Sequence, residues 1–211
     1  MTALRGRVSQ VVEVNVGTAG GGESDAELWH RLRSADEEAF RDLFLRHSTA
    51  VYNFCFRRTA SWSVAEDATQ ATFASLWRRA SGGDIDPLKL ESARPALLTM
   101  ARNECSNANR SRNRHLQLVD RVRTESGGSV DNTAAWVEAE STMALIRQAL
   151  AVLPANQRDV VELVAWSGLS LADVAAALKI SVGTVKSRLS RARARLARSE
   201  IAGLLENHNE A

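Results

Sequence analysis

The sequence predicts an all-α protein made of two small helical domains joined by a flexible linker. Three observations carry that prediction. Apolar residues recur at intervals of three and four along most of the chain, strand-like alternation is nearly absent, and there are only three prolines. With 211 residues and 45% hydrophobic content, the chain can bury one medium core or two small ones. It has no run of about 18 apolar residues, so no membrane span is expected, and its start lacks a signal-peptide core. Residues 1–22, which end in Gly20, Gly21 and Gly22, read as a poorly ordered extension of an intracellular protein.

Each element follows from local chemistry. Ser24 and Glu27 form a capping box for a first helix that turns Leu28 and Leu32 inward. Asp36 caps a longer helix whose positions Phe40, Leu43, Phe44, His47, Val51, Phe54 and Cys55 share one face. Ser63 and Glu66 make a second capping box, followed by Ala68, Ala71, Phe73, Leu76 and Trp77, and Gly82 with Gly83 ends that helix. After the loop SGGDIDPLKLES, Pro95 suits the first turn of a helix with Leu97, Leu98, Met100, Ala101 and Cys105 inward. Arg102, Asn103, Asn107 and Arg110 face away.

Residues 111–131 lose periodicity and contain Gly127 and Gly128, which reads as the linker. It separates a domain at 23–110 from one at 132–205, with a tail at 206–211. The second domain runs from Asn132 to Leu153, breaks at Pro154, resumes from Ala155 to Trp166 and stops at Gly168. Two helices follow, Leu171–Leu178 and Val182 to about Arg198.

Charge is distributed unevenly on a chain of net charge only +2. Lys179, Lys186, Arg188, Arg191, Arg193, Arg195 and Arg198 succeed one another with no acid between them. A second basic stretch runs from Arg94 to Arg123, interrupted only by Glu104 and Asp120. Acids gather elsewhere, around Asp36–Asp42, Glu66–Asp67 and Glu138–Glu140. Two basic surfaces on a near-neutral chain point to two contacts with a polyanion. Cys55 and Cys105 read as small buried apolar residues, and the four histidines are scattered, so no metal site is expected. Neither a nucleophile with its base nor a phosphate-binding glycine spacing is present, so no enzyme activity and no cofactor are expected.

The strongest pattern lies at the end of the chain. Ser170 caps a helix with Leu171, Val174, Ala175 and Leu178 on one stripe. A short break at Lys179-Ile180-Ser181 leads to a helix whose Val182, Val185, Leu189, Ala192 and Leu196 form an apolar face. The cap residue Ser181 and the opposite face, Thr184, Lys186, Ser187, Arg188, Arg191 and Arg195, are polar or basic. This is a helix-turn-helix of the winged-helix-like kind, whose second helix fits the major groove and addresses bases and phosphates.

The segment LPANQRDVVELVAWSGLSLADVAAALKISVGTVKSRLSRARARL resembles the C-terminal domain of sigma-70-type initiation factors, in particular the small extracytoplasmic-function group. EEAFRDLFLRH, AEDATQATFASLWRR and LLTMARNECSNANR resemble successive helices of that family's N-terminal domain, so the likeness covers about residues 24–200. The resemblance implies a cytoplasmic factor, nucleoid-associated when bound to polymerase, that directs core RNA polymerase to promoter DNA. It implies contacts with the clamp and flap regions of the two large polymerase subunits. Glu66, Asp67, Gln70, Phe73, Leu76 and Trp77 would dock on the clamp. Arg102, Asn103, Asn107 and Arg110 would read and open the −10 element, and the loop Ser81–Ser92 would accept a flipped-out base. The helix from Ser181 to Arg195 would read the −35 element, the linker would thread toward the polymerase active site, and an anti-sigma protein is an implied partner. The chain departs from the family pattern at Ala96, where relatives often carry Trp, and at Asn107, where they commonly carry Asp. Glu104 is also an unfavourable neighbour for a phosphate; these departures leave fold and role intact but bear on the −10 preference, and weaker melting with choosier promoter use is expected. The alternative is a helix-turn-helix regulator that is not a polymerase subunit. A response regulator of that class would carry an alternating strand–helix receiver, which the sequence lacks.

Overall fold

The computed structural model describes residues 22–119 and 134–199, and these form eight α-helices with no strand. They are α1 (Asp25–Leu32), α2 (Glu37–Thr59), α3 (Trp62–Ser81), α4 (Arg94–Val119), α5 (Ala134–Leu150), α6 (Ala155–Ser167), α7 (Leu171–Leu178) and α8 (Val182–Arg198). The expected N-terminal extension up to residue 21, the segment 120–133 and residues 200–211 lie outside the described residues. The helix-turn-helix therefore has no wing among the described residues.

Side-chain capping sets four of the eight helix starts. Ser24 and Glu27 close a reciprocal box on α1, with the Ser24 N–H donating to Glu27 at 2.7 Å. Asp36 Oδ1 accepts the Glu38 and Ala39 N–H groups at 2.9 and 3.0 Å to start α2. Helix α3 corrects the expectation of a box at Ser63 and Glu66. It begins at Trp62, behind Ser61, and no side chain caps it. Trp62 instead gives its own N–H to Glu140 of α5 at 2.8 Å, so a tertiary partner replaces the local one. Helix α2 ends at Ala60, whose φ of +51° lets its N–H reach the Phe56 carbonyl at 2.7 Å.

The N-terminal helices α1–α4 pack around Leu28, Leu32, Leu43, Phe54, Leu76 and Leu97, all almost wholly inaccessible. Cys55 and Cys105 are both buried in this core. Helix α4 runs to Val119, eight residues beyond the expected start of the linker at 111. Its sequence there contains no glycine or proline to stop it.

The C-terminal helices do not stand apart from this bundle. Val160, Leu163, Val174 and Val185 belong to the same continuous core, while Leu150, Leu153 and Ala192 form a smaller cluster. Arg58, at the end of α2, reaches Asp159 Oδ1 at 2.9 Å and pairs with Glu162, both on α6. Arg57 donates to the Trp166 carbonyl at 2.8 Å, and Arg147 of α5 donates to the Thr59 carbonyl at 2.7 Å. Trp62 stacks on Phe56 with ring centroids 3.6 Å apart and also meets Trp136 of α5. The described chain is thus closed, with α7 lying against α4.

Candidate nucleic-acid interface

The turn between α7 and α8 is built from main-chain geometry and two caps. Ser170 and Asp173 form a second capping box at the start of α7. Lys179 ends α7 with φ +54°, and Ser181 Oγ then accepts the Thr184 N–H at 3.0 Å to start α8. Val185 and Ala192 are buried, which fixes the rotation of α8 and turns its basic face outward. Val182, expected on the apolar face, is instead 39% exposed, because it occupies the first turn beyond the packed region.

The outward residues differ in freedom. The hydroxyls of Ser181 and Thr184 bond to each other at 2.9 Å, and Ser187 Oγ donates to the Thr184 carbonyl at 3.0 Å. Lys186, Arg191 and Arg195 are exposed and Arg188 is half-buried, and none forms an ion pair among the described residues. Four cations with no carboxylate to neutralise them leave this face open to an anion. Arg198 continues the face, and with Arg191, Arg195 and Gln157 it lines a shallow groove of about 560 Å³. The recurrence of Arg at 191, 195 and 198 is the signal that would have added Arg198 to the site.

The second basic surface is arranged differently. Asn103, Asn107 and Arg110 are exposed along one side of α4, with Arg110 donating to Asn107 Oδ1 at 3.2 Å. Asn107 also gives its amide to Glu104 at 3.4 Å. Arg102 is not free, since it reaches Asp159 of α6 at 3.2 Å. Thr99 lies 3.5 Å from the Ala177 carbonyl of α7. A cleft of about 440 Å³ opens between the loop 85–90 and α4, and the last turn of α7 borders it. Burial, the largest effect, pushes the Glu162 carboxyl up to about 7 even with Arg58 beside it. Sequence reasoning missed this junction because its partners lie about 100 residues apart.

On α3 the structure separates the six residues grouped from sequence. Asp67 and Gln70 are exposed, and Glu66 and Trp77 are partly so. Phe73 and Leu76 are a correction: at 3% and 1% exposure they are core, with Phe73 set edge-on to Phe44 at 4.8 Å. A side chain with no exposed surface cannot meet a partner directly.

Two family profiles match the chain, Sigma-70 region 2 over residues 43–115 and Sigma-70 region 4 over residues 143–196. The ECF RNA polymerase sigma factor SigM of Mycobacterium tuberculosis is 34% identical over 175 residues, covering 83% of this chain and 84% of that protein. The chain belongs to the ECF group of sigma-70 factors. SigL of Mycobacterium tuberculosis is 34% identical over 160 residues, covering 74% of this chain and 85% of that protein. CarQ of Myxococcus xanthus is 32% identical over 179 residues, covering 83% and 96%. Among solved structures, CnrH in complex with the cytosolic domain of CnrY superposes with a TM-score of 0.61 at 25% identity, covering 88% of this chain and 99% of that one. The sigma factor RpoE, in complex with the anti-sigma factor NepR from Bartonella quintana, gives 0.52 at 30% identity, covering 75% and 94%. As an ECF sigma factor, the chain is a promoter-specificity factor associated with RNA polymerase.

Proposed function

We propose that this sigma factor reads the −35 element with the outward face of α8 and the −10 element with α4 and the loop before it. Core polymerase docks on the exposed part of α3, chiefly Asp67, Gln70 and Trp77. The catalysis is the polymerase's, and this chain supplies recognition. It works in the cytoplasm, and an anti-sigma protein holds it there. What supports the anti-sigma reading is the likeness to RpoE, solved in complex with the anti-sigma factor NepR.

The observation that carries the −35 reading is the unpaired basic face of α8, held outward by the buried Val185 and Ala192. Arg and Lys address guanine edges and phosphates, and an intact bidentate contact is worth about 1–3 kcal/mol of discrimination. The test is Arg188→Ala in run-off transcription with reconstituted core polymerase. Loss of −35-dependent transcription with core binding retained is expected. Unchanged promoter use would place the reading face elsewhere.

A further inference from the structure

The segment 82–93 between α3 and α4 has no helix or strand ladder of its own. It is nevertheless held by side chains at several main-chain points. Asp25 accepts the Ala93 N–H at 2.8 Å and the Ser92 hydroxyl at 2.9 Å. The Trp29 indole donates to the Asp86 carbonyl at 3.0 Å, and Arg33 Nε donates to the Ile85 carbonyl at 3.1 Å. Arg79 of α3 donates to the Asp84 carbonyl at 3.1 Å. Positions 25, 29 and 33 are four apart, so they form one stripe along α1 and its C-terminal cap.

The stripe is itself fixed. Asp25 is buried, with Arg46 Nη1 at 2.6 Å and His47 Nε2 at 2.8 Å. Trp29 is buried, and Ile85 anchors the loop in the core. Because nearly all these bonds go to main-chain atoms, they leave the loop's side chains uncommitted. Asp86, Pro87 and Lys89 remain exposed. The loop forms one wall of the cleft of about 440 Å³, and Ala96, Thr99, Met100 and Asn103 of α4 form the other.

We propose that α1 is a positioning element for base selection. Through Asp25, Trp29 and Arg33 it holds the 82–93 backbone so that loop and α4 present a pre-shaped pocket for one unstacked −10 base. The inference rests on the reading that this loop meets the −10 element. A loop ordered only on binding would lose conformational entropy at each residue and could adapt to a wrong base. A loop ordered during folding keeps its donors and acceptors at set positions, which is what discrimination requires.

The test uses the full chain with core polymerase on promoter templates randomised across the −10 element, the −35 element being constant. The variant Trp29→Phe/Arg33→Met keeps an aromatic ring at 29 and an unbranched chain at 33 but deletes two donors to the loop. The expected result is a preference at one −10 position that falls about five- to tenfold, with core binding and the other positions unchanged. Arg33→Lys in the Trp29→Phe background restores one donor and recovers part of the preference. A merely destabilised protein would instead lower transcription on every template alike, which would overturn the proposal. A loop variant, Leu88→Ala/Lys89→Ala, separates the two readings. If it shifts the preference and the clamp variant does not, the positioning role is wrong. If neither shifts it, the loop reads no base and the −10 assignment falls with it.

Discussion

Replacing Arg58 with Met tests the closed arrangement most directly. The Arg58 side chain is only 11% exposed, and its guanidinium serves two carboxylates, Asp159 and Glu162. Asp159 keeps a second cation, Arg102, at 3.2 Å. Glu162 is 3% exposed and would lose its ion-pair partner, keeping only the weaker pull of Arg158. Stranding a buried charge costs about 3–5 kcal/mol, and the remaining pair at Asp159 places this case near about 3 kcal/mol. That corresponds to a shift of roughly 100-fold in the ratio of closed to open chains. Separating the two halves relieves the strain at Glu162, so the variant should open. The assay is energy transfer between dyes on Ala74→Cys and Ser190→Cys, both exposed positions. Measured at pH 8, where Glu162 is ionised, Arg58→Met should lengthen the distance. Burial raises the Glu162 pKa to about 7 from its ordinary 4.5, so closure is favoured at low pH and weakens as pH rises through 7. Arg58, Arg158 and Asp159 are the charges acting on it, with the Cys105 thiol beside it. The variant's defect should therefore shrink by pH 6. Adding Glu162→Leu should restore closure, since an apolar pair replaces the ionic one. An unchanged distance in Arg58→Met at pH 8 would refute the reasoning.

Three further outcomes follow. Burial alone would raise the Asp25 carboxyl, but His47, the Ala93 N–H and Arg46 hold it below the usual range. Its contribution to stability is thus present above its ordinary value of 3.8 and lost as pH falls below it; the Tm gap between wild type and Asp25→Asn should narrow steadily as pH falls below 3.8. Ala60→Gly should raise stability by about 0.5–1 kcal/mol in urea unfolding, because φ +51° is costly for a residue with a Cβ. Asp67→Lys should weaken capture by core polymerase in a pull-down while leaving the circular dichroism melt unchanged, since Asp67 is exposed and forms no ion pair among the described residues.

Much of the local structure was legible because it is set by neighbours in sequence. Ser24 with Glu27, Asp36, Ser170 and Ser181 each announce a helix start by a hydrogen bond spanning two or three residues. The basic face of α8 was legible for the same reason, since one apolar stripe implies its opposite. Ser63 with Glu66 misled because a capping pair is only an offer, and Glu140 from a distant helix made a better one to Trp62. Phe73 and Leu76 could not be told from Trp77 by spacing, because the core closes over two of the three. His47 read as one more position on an apolar face, whereas it serves Asp25 in a buried polar junction. The closure itself was illegible, since nothing near Arg58 in sequence names Asp159 or Glu162.

The contact between Arg102 and Asp159 also bears on DNA affinity. A free arginine that meets a phosphate releases the counterion condensed on the DNA there, which steepens the salt dependence of binding by about one unit of slope. Arg102 comes to DNA already neutralised by a carboxylate of its own chain. To engage a phosphate it must surrender that partner, and Asp159 is then left with Arg58 alone. The ion pair given up offsets part of what the phosphate contact returns. A closed chain of this kind should draw less promoter affinity from Arg102 than from Arg110, which forms no ion pair among the described residues.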